Sequence, residues 1–276
     1  MLFRSFLALI GNGLQDVSVS RPRKNLSWGV AVPDDDSQVM YVWLDALSNY
    51  ITVIGYPDRT EEWQSFWPAD VQVVGKDILR FHAGIWPAML MALDLPLPKV
   101  LLVHGFINVN GAKMSKSLGN GVGPSDIVPH YGVDAFRYYF LRHVPTQEDG
   151  DFTWERFEAA YNGELGNDLG NLVQRVAKMV LSYQAGVIGD APQAEHDMGP
   201  YRTAMESFNF DRALAEVWQT IRSLNQYIER VQPWQVAKKR DKDPEAEAHL
   251  SEILAYACGT LRSEEHTSEL QSHYRI

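Results

Sequence analysis

Two lysines and two serines lie within five residues of one another in the stretch "NVNGAKMSKSLGNGVG", residues 108–123. Lys113 and Lys116 are three positions apart, and Ser115 and Ser117 sit beside them. Neighbouring ammonium groups repel, so a loop that turns both the same way is built to receive an anion between them. Upstream, Asn110-Gly111 is a pair that readily takes positive φ in a tight turn. Downstream, Gly119, Gly121 and Gly123 leave the loop free to move. Such a loop can close on a polyphosphate and stabilise the charge that builds on a departing pyrophosphate.

A second group of residues suits a different ligand. "LGNDLGNLVQR" (165–175) spaces Asn167, Asn171 and Arg175 four apart, which on an α-helix is one row along one face. Two amides and a guanidinium can read unstacked base edges on single-stranded RNA, although the same row also reads as a solvated helix stripe. "QPWQVAKK" (232–239) holds Trp234 behind Pro233, and a tryptophan fixed in this way is a platform worth about 1–3 kcal/mol per stacked base. Lys238, Lys239 and Arg240 follow and can hold phosphates.

The elements that must carry these residues fall into two kinds. "VMYVWL" (39–44), "VQVVG" (71–75) and "VLLVHG" (100–105) are short apolar runs that predict buried strands, the first leading into a helix through about Ile54. A helical stretch from Lys76 to Leu93 separates the second from the third, and "DLPLPK" (94–99) stops it. Nearly continuous apolar strands alternating with helices predict a parallel α/β sheet covered on both faces. Residues 125–144 read as two short helices. From Trp154 onward every periodic segment is helical, with a loop at 187–200. The expected divisions are 1–108 as an α/β part, 109–150 as the lysine loop and a connecting helical segment, and 151–261 as an all-α helical bundle.

Composition bounds the possibilities. The 276 residues carry a formal net charge of −10, which excludes a broad basic surface and leaves room only for local basic stripes. Hydrophobic residues make up 45% and charged residues 22%, the profile of a globular protein with an ample core. Cys258 is the one cysteine, so no disulfide framework or thiolate metal cluster is expected, and a reducing, cytoplasmic setting fits. No run reaches the roughly 18 apolar residues of a membrane span. The opening "MLFRSFLALIGNGL" reads as an amphipathic helix that ends at Gly11 or Gly13.

Lys113-Met114-Ser115-Lys116-Ser117 at the end of a nucleotide-binding α/β part resembles the second signature of class I aminoacyl-tRNA synthetases. Four further stretches narrow the resemblance to the methionyl-tRNA synthetases. "YVWLDALSNY" (41–50) is similar to that family's methionine-pocket segment, which implies that Trp43, Ala46 and Tyr50 line the pocket; Leu47 stands where many members have proline. "VVGKDILRFHAGIWPAML" (73–90) is similar to the second pocket segment, with Asp77 on the ribose hydroxyls of ATP and Phe81, His82 and Trp86 near the methionine side chain. Both roles make physical sense, since aromatic rings bind a thioether with about 0.3–1.5 kcal/mol per contact. A carboxylate at the C-terminal end of a parallel strand also lies where α/β sheets take nucleotides. The resemblance further implies that Asn167, Asn171, Arg175, Pro233 and Trp234 face the CAU anticodon of tRNA(Met).

The implied activity is methionine-tRNA ligation: methionine and ATP form methionyl-adenylate, and the methionyl group passes to tRNA. Lys116 is the expected main electrostatic contributor and Lys113 its assistant, with Met114, Ser115 and Ser117 completing the ATP loop. Magnesium would arrive with ATP as its substrate complex, with no protein-bound metal expected in this chain. Two alternatives stand beside this. One is a synthetase for leucine, isoleucine, valine or cysteine; the other is a non-catalytic tRNA anticodon-binding module. The first class I signature, H-x-G-H, occurs nowhere in the sequence. The implied fold is therefore the second half of a doubly wound Rossmann-like catalytic domain followed by the helical bundle, a fragment expected to be inactive and poorly soluble alone. Finally, "RSEEHTSELQS" (262–272) resembles a translated sequencing adapter, so 262–276 are expected to be non-native.

Overall fold

The computed structural model describes residues 7–8, 10–13, 15–58, 61–115, 119–188 and 197–273, the last stretch by its backbone alone from residue 263 onward. The chain divides into two compact units, Met1–Gly105 and Phe106–Ile276.

The first unit contains an antiparallel sheet of β1 (Ser20–Pro22), β2 (Ala31–Val32) and β3 (Asp35–Met40), with β3 in the middle. Asp34 turns the chain into β3 at φ 63°. The strand expected at 39–44 is corrected here: β3 ends at Met40, and α1 (Val42–Thr52) is already helical at Trp43. A short apolar run does not distinguish a strand from a buried helix, and Leu47 and Ile51, four apart and both buried, follow the helical period. After α2 (Glu61–Phe66) comes β4 (Val71–Gly75), paired in parallel with β5 (Val100–His104) so that Gly75 lies opposite His104.

The crossover between them is helical as far as Ala92, in three forms. A 3₁₀ turn (Lys76–Ile78) leads to a π-turn (Phe81–Ile85) and then to α3 (Trp86–Ala92). Leu47, Ile51, Trp63, Trp67, Trp86, Leu90 and Leu95 form the core of the unit. The sheet was expected to be covered on both faces. Within the described residues Val73 of β4 is instead 61% exposed, and the parallel pairing joins only β4 and β5 in this unit.

In the second unit β6 (Ile107–Val109) lies between β7 (Ala112–Lys113) and β8 (Gly150–Phe152), antiparallel to the first and parallel to the second. The division expected after residue 108 falls inside β6. Two helices, α4 (Pro124–Tyr131) and α5 (Val133–His143), connect β7 to β8, as the sequence predicts for 125–144. Val109, Ile127, Tyr139, Phe152 and Phe157 bury their side chains together beneath these elements.

From α6 (Trp154–Ala160) the chain runs without a break through a π-helical segment (Tyr161–Gly170) into α7 (Asn171–Gln184). Then come α8 (Gly199–Glu206), α9 (Phe210–Val231), the short α10 (Pro233–Ala237) and α11 (Pro244–His273). Leu172, Val176, Trp218, Ile228, Leu250 and Leu254 pack α7, α9 and α11 around one apolar core, whose last member along the chain is Leu261. The α11 backbone continues to His273, into the segment expected to be non-native, and the side chains from 263 lie outside the described residues.

A polar knot ties α5 to the π-helical segment. The Tyr138 hydroxyl donates to Glu164 Oε2, His143 Nε2 lies 2.9 Å from the same oxygen, and Arg142 Nη2 is 3.8 Å from Oε1. Burial opposes ionisation of Glu164, but the hydrogen bonds from His143 and Tyr138, with the charges of His143 and Arg142, outweigh it and hold the carboxyl below its ordinary range.

Candidate functional site

The first unit gathers one set of the expected residues. Trp43, Ala46 and Tyr50 follow one another along one side of α1, three and four positions apart, while Phe81 and His82 come from the π-turn after β4. Trp43 stacks on Phe81 with ring centroids 3.9 Å apart and an interplanar angle of 10°. His82, only 4% exposed, meets both Trp43 and Tyr50 edge-on. The Tyr50 hydroxyl is 2.9 Å from His82 Nε2, and His82 Nδ1 is 3.0 Å from the carbonyl oxygen of Ile78. A carbonyl can only accept, so Nδ1 carries the proton and Nε2 accepts from Tyr50. Burial raises the Tyr50 pKa, which keeps the phenol a neutral donor.

Ala46 is exposed beside these rings, and Trp86 is wholly buried behind them, 5.8 Å from Tyr50. Trp86 donates its indole N–H to Gln72 Oε1 of β4 at 3.2 Å, a positioning contact the sequence reading missed. The result is a half-buried aromatic patch with one side fixed by the core. It suits a small apolar, polarisable group.

Asp77 lies just beyond the C-terminal end of β4. A Cβ at Gly75 would come within 2.8 Å of Asp77 Oδ1 and 3.9 Å of the His104 ring, so glycine here lets the carboxylate fold back over the strand end. His104, at the matching end of β5, donates Nδ1–H to Gly105 O at 2.8 Å. Its place at the end of "VLLVHG" was the available signal. The exposed carboxylate and the imidazole share the C-terminal edge of the parallel pair, where hydroxyl-bearing ligands are taken in open α/β sheets.

In the second unit the lysine loop starts from a two-residue hairpin. Asn110 and Gly111 take φ 52° and 73°, as their types predict, and pair Asn108 with Lys113. Asp151 Oδ1 of β8 accepts from Gly111 N–H at 2.7 Å and fixes the tip. Lys113 is exposed and sets its ammonium 4.3 Å over the Phe106 ring, while Met114 packs against the core. Ser115 N–H donates to Asn120 Oδ1 at 2.9 Å, and Asn120 Nδ2 donates to Lys113 O at 3.3 Å. One amide thus bridges the loop's two ends, a role the sequence reading did not assign to Asn120. Lys116 and Ser117 lie outside the described residues. Among the described residues no group of three or more His, Cys, Asp or Glu could hold a metal ion, and no helix is long and apolar enough to cross a membrane.

The helical part carries the remaining set. Asn171 and Arg175 of α7 line a groove of about 320 Å³ with Gln174, Lys178 and Tyr183. Asn167 is not among the residues that line it; it sits four positions before Asn171, in the π-helical segment that leads into α7. Arg175 is not free: Nη1 pairs with Glu229 and Nη2 donates to Asn225 Oδ1, both on α9. Pro233 starts α10 after Gln232 at φ 47°, and Trp234 rests partly buried on the helical core. Arg240 donates to Tyr183 O at 3.0 Å, joining the segment after α10 to the groove.

Comparison with known proteins brings these regions under one description. The sequence profile of the family described as "tRNA synthetases class I (M)" matches residues 3–177. The methionine–tRNA ligase of Streptomyces coelicolor is 47% identical over 92% of this chain and 49% of its own length. That of Bacillus subtilis is 44% identical over 91% of this chain and 39% of its own. The chain therefore spans about half or less of the curated relatives it matches. Mycobacterium tuberculosis methionyl-tRNA synthetase in complex with methionyl-adenylate superposes with a TM-score of 0.84 at 36% identity, covering 95% of this chain and 53% of that one. Its apo form gives 0.82 at 33% identity. A matched profile, these identities and a shared mixed α/β and helical fold have one meaning: the chain belongs to the class I tRNA synthetases of the methionine type.

Proposed function

We propose that the protein carrying this chain activates L-methionine with ATP and transfers it to tRNA(Met), working in the cytoplasm. The observation that carries the reading is the junction of the two pocket segments, Trp43 on Phe81 and Tyr50 on His82, which leaves one face of an aromatic patch for a thioether. The carboxylate oxygen of methionine attacks the α-phosphorus of ATP. The bond from that phosphorus to the bridging oxygen breaks, and pyrophosphate leaves with its magnesium. No protein group need act as nucleophile: the chain's residues orient the reactants and offset charge. Asp77 accepts from the ribose hydroxyls. Lys116, with Lys113, Met114, Ser115 and Ser117, takes the polyphosphate. The part beginning near residue 151 is the anticodon-binding helical domain, where Asn171, Arg175 and Trp234, with Asn167 and Pro233 nearby, meet the CAU loop.

The test is methionine-dependent pyrophosphate exchange in the full-length protein. Lys116→Ala is expected to lower the exchange rate by orders of magnitude and leave methionine binding almost unchanged. Undiminished exchange overturns the role of Lys116. Exchange supported by leucine, isoleucine, valine or cysteine instead of methionine overturns the substrate.

A further inference from the structure

We propose that Phe106 is a positioning residue of the lysine loop: its ring is the neutral partner from which the Lys113 ammonium moves to ATP's phosphates and to which it returns as pyrophosphate leaves. The inference rests on the proposed reading of residues 113–117 as the ATP loop. Strand geometry sets the meeting. Lys113 of β7 stands opposite Asn108 of β6, so Phe106, two residues before Asn108, is its diagonal neighbour on the same face. The alternate residues turn the other way: Val109 is buried in the core, and Ile107 and Met114 pack against it. Both backbone groups of Phe106 are held. Its N–H donates to Asp149 Oδ1 at 2.8 Å, and its carbonyl accepts from Gly150 N–H at 2.9 Å. The ring is half-buried, the lysine is exposed, and the ammonium lies 4.3 Å from the ring centroid.

A carboxylate in the place of this ring would pair with the ammonium and repel an approaching polyphosphate. An aromatic face attracts the cation through its quadrupole and carries no net charge. The neighbouring carboxylates are engaged elsewhere. Asp149 Oδ1 takes the Phe106 N–H, Asp151 Oδ1 takes the Gly111 N–H, and Asp151 Oδ2 is 4.0 Å from Arg156 Nη1. Lys113 forms no ion pair among the described residues, and its ammonium rests on the ring. A contact made by the free loop and given up to phosphate weakens ATP binding by its own small worth. It helps pyrophosphate to depart by the same amount.

The test is methionine-dependent pyrophosphate exchange in the full-length protein, with Phe106 replaced by mono-, di- and trifluorinated phenylalanine. These keep the ring's shape and drain its negative face. The kcat/KM for ATP should rise with each fluorine, to about two- to fivefold in all, the worth of an exposed contact between a cation and a ring. The KM for methionine should stay unchanged. Phe106→Trp, with the stronger face, should lower kcat/KM for ATP. In Lys113→Gln the fluorinated series should be flat. A flat series on the unaltered lysine overturns the inference while the ATP-loop reading stands, and so does a rise that persists in Lys113→Gln. Should Lys113→Gln leave too little exchange to measure, Phe106→Trp decides: a value equal to or above that of the unaltered protein overturns the inference. Absence of methionine-dependent exchange in the unaltered full-length protein overturns both.

Discussion

The Tyr50 hydroxyl donates to Nε2 of His82 across 2.9 Å, and the opposite nitrogen of that ring donates to Ile78 O, so one side chain from α1 fixes a histidine that is only 4% exposed. Tyr50→Phe keeps the ring but leaves a buried acceptor without its donor, a loss of about 1–3 kcal/mol. Denaturation in urea should show that loss, and pyrophosphate exchange should show a higher KM for methionine with a smaller change in kcat. Equal stability and equal KM would count against the bond as a support of the pocket. The raised pKa of Tyr50 sets the pH range. Its stabilising share is full below pH 10, the ordinary tyrosine value, and is lost as pH rises through the higher folded value.

Asn120 bridges Lys113 O and Ser115 N–H, and two net hydrogen bonds of about 0.5–1.5 kcal/mol each are at stake. Asn120→Ala in the full-length protein should lower kcat for pyrophosphate exchange by about tenfold. The KM for methionine should stay where it is, because the aromatic patch belongs to other elements. Asn120→Asp keeps the acceptor for Ser115 and loses the donor to Lys113, so an intermediate rate is expected. A kcat unchanged in both variants would remove Asn120 from the loop's support.

Glu164 gathers Tyr138, Arg142 and His143 at the junction of α5 and the π-helical segment. Its carboxyl is held below the ordinary value of 4.5, so the folded state binds fewer protons than the unfolded state in that range. The contribution is full above the unfolded value and is lost as pH falls through the lower folded one. Melting midpoints followed from neutral pH downward should therefore drop below about pH 4.5 more steeply in the unaltered protein than in Glu164→Gln. Parallel curves would show that the cluster does not couple protonation to folding.

Much of the framework is legible in local sequence because it is decided locally. β4 is found at residues 71–75 as read, the hairpin turn at Asn110-Gly111 takes the positive φ that those two types tolerate, and α9 keeps its apolar period from Phe210 to Val231. The strand expected at "VMYVWL" failed because an apolar run lacks a period of its own. Neither β6 with its partner β8 nor the short α8 announced itself, since three residues of strand and eight of helix have little pattern to show.

What the sequence by itself determined is the list of chemical groups and the elements that carry them: a loop with paired lysines, two aromatic segments, a carboxylate after a strand, and a helix with amides and an arginine. Those follow from residue type and from backbone preferences acting over a few positions. Only the tertiary structure decided which groups meet. Tyr50 and His82 are 32 positions apart, and Arg175 and Glu229 are 54 apart. Hydrogen bonds at such separations depend on how buried side chains such as Leu47 and Ile228 settle their helices against neighbours, and that packing is a property of the whole fold rather than of any short stretch.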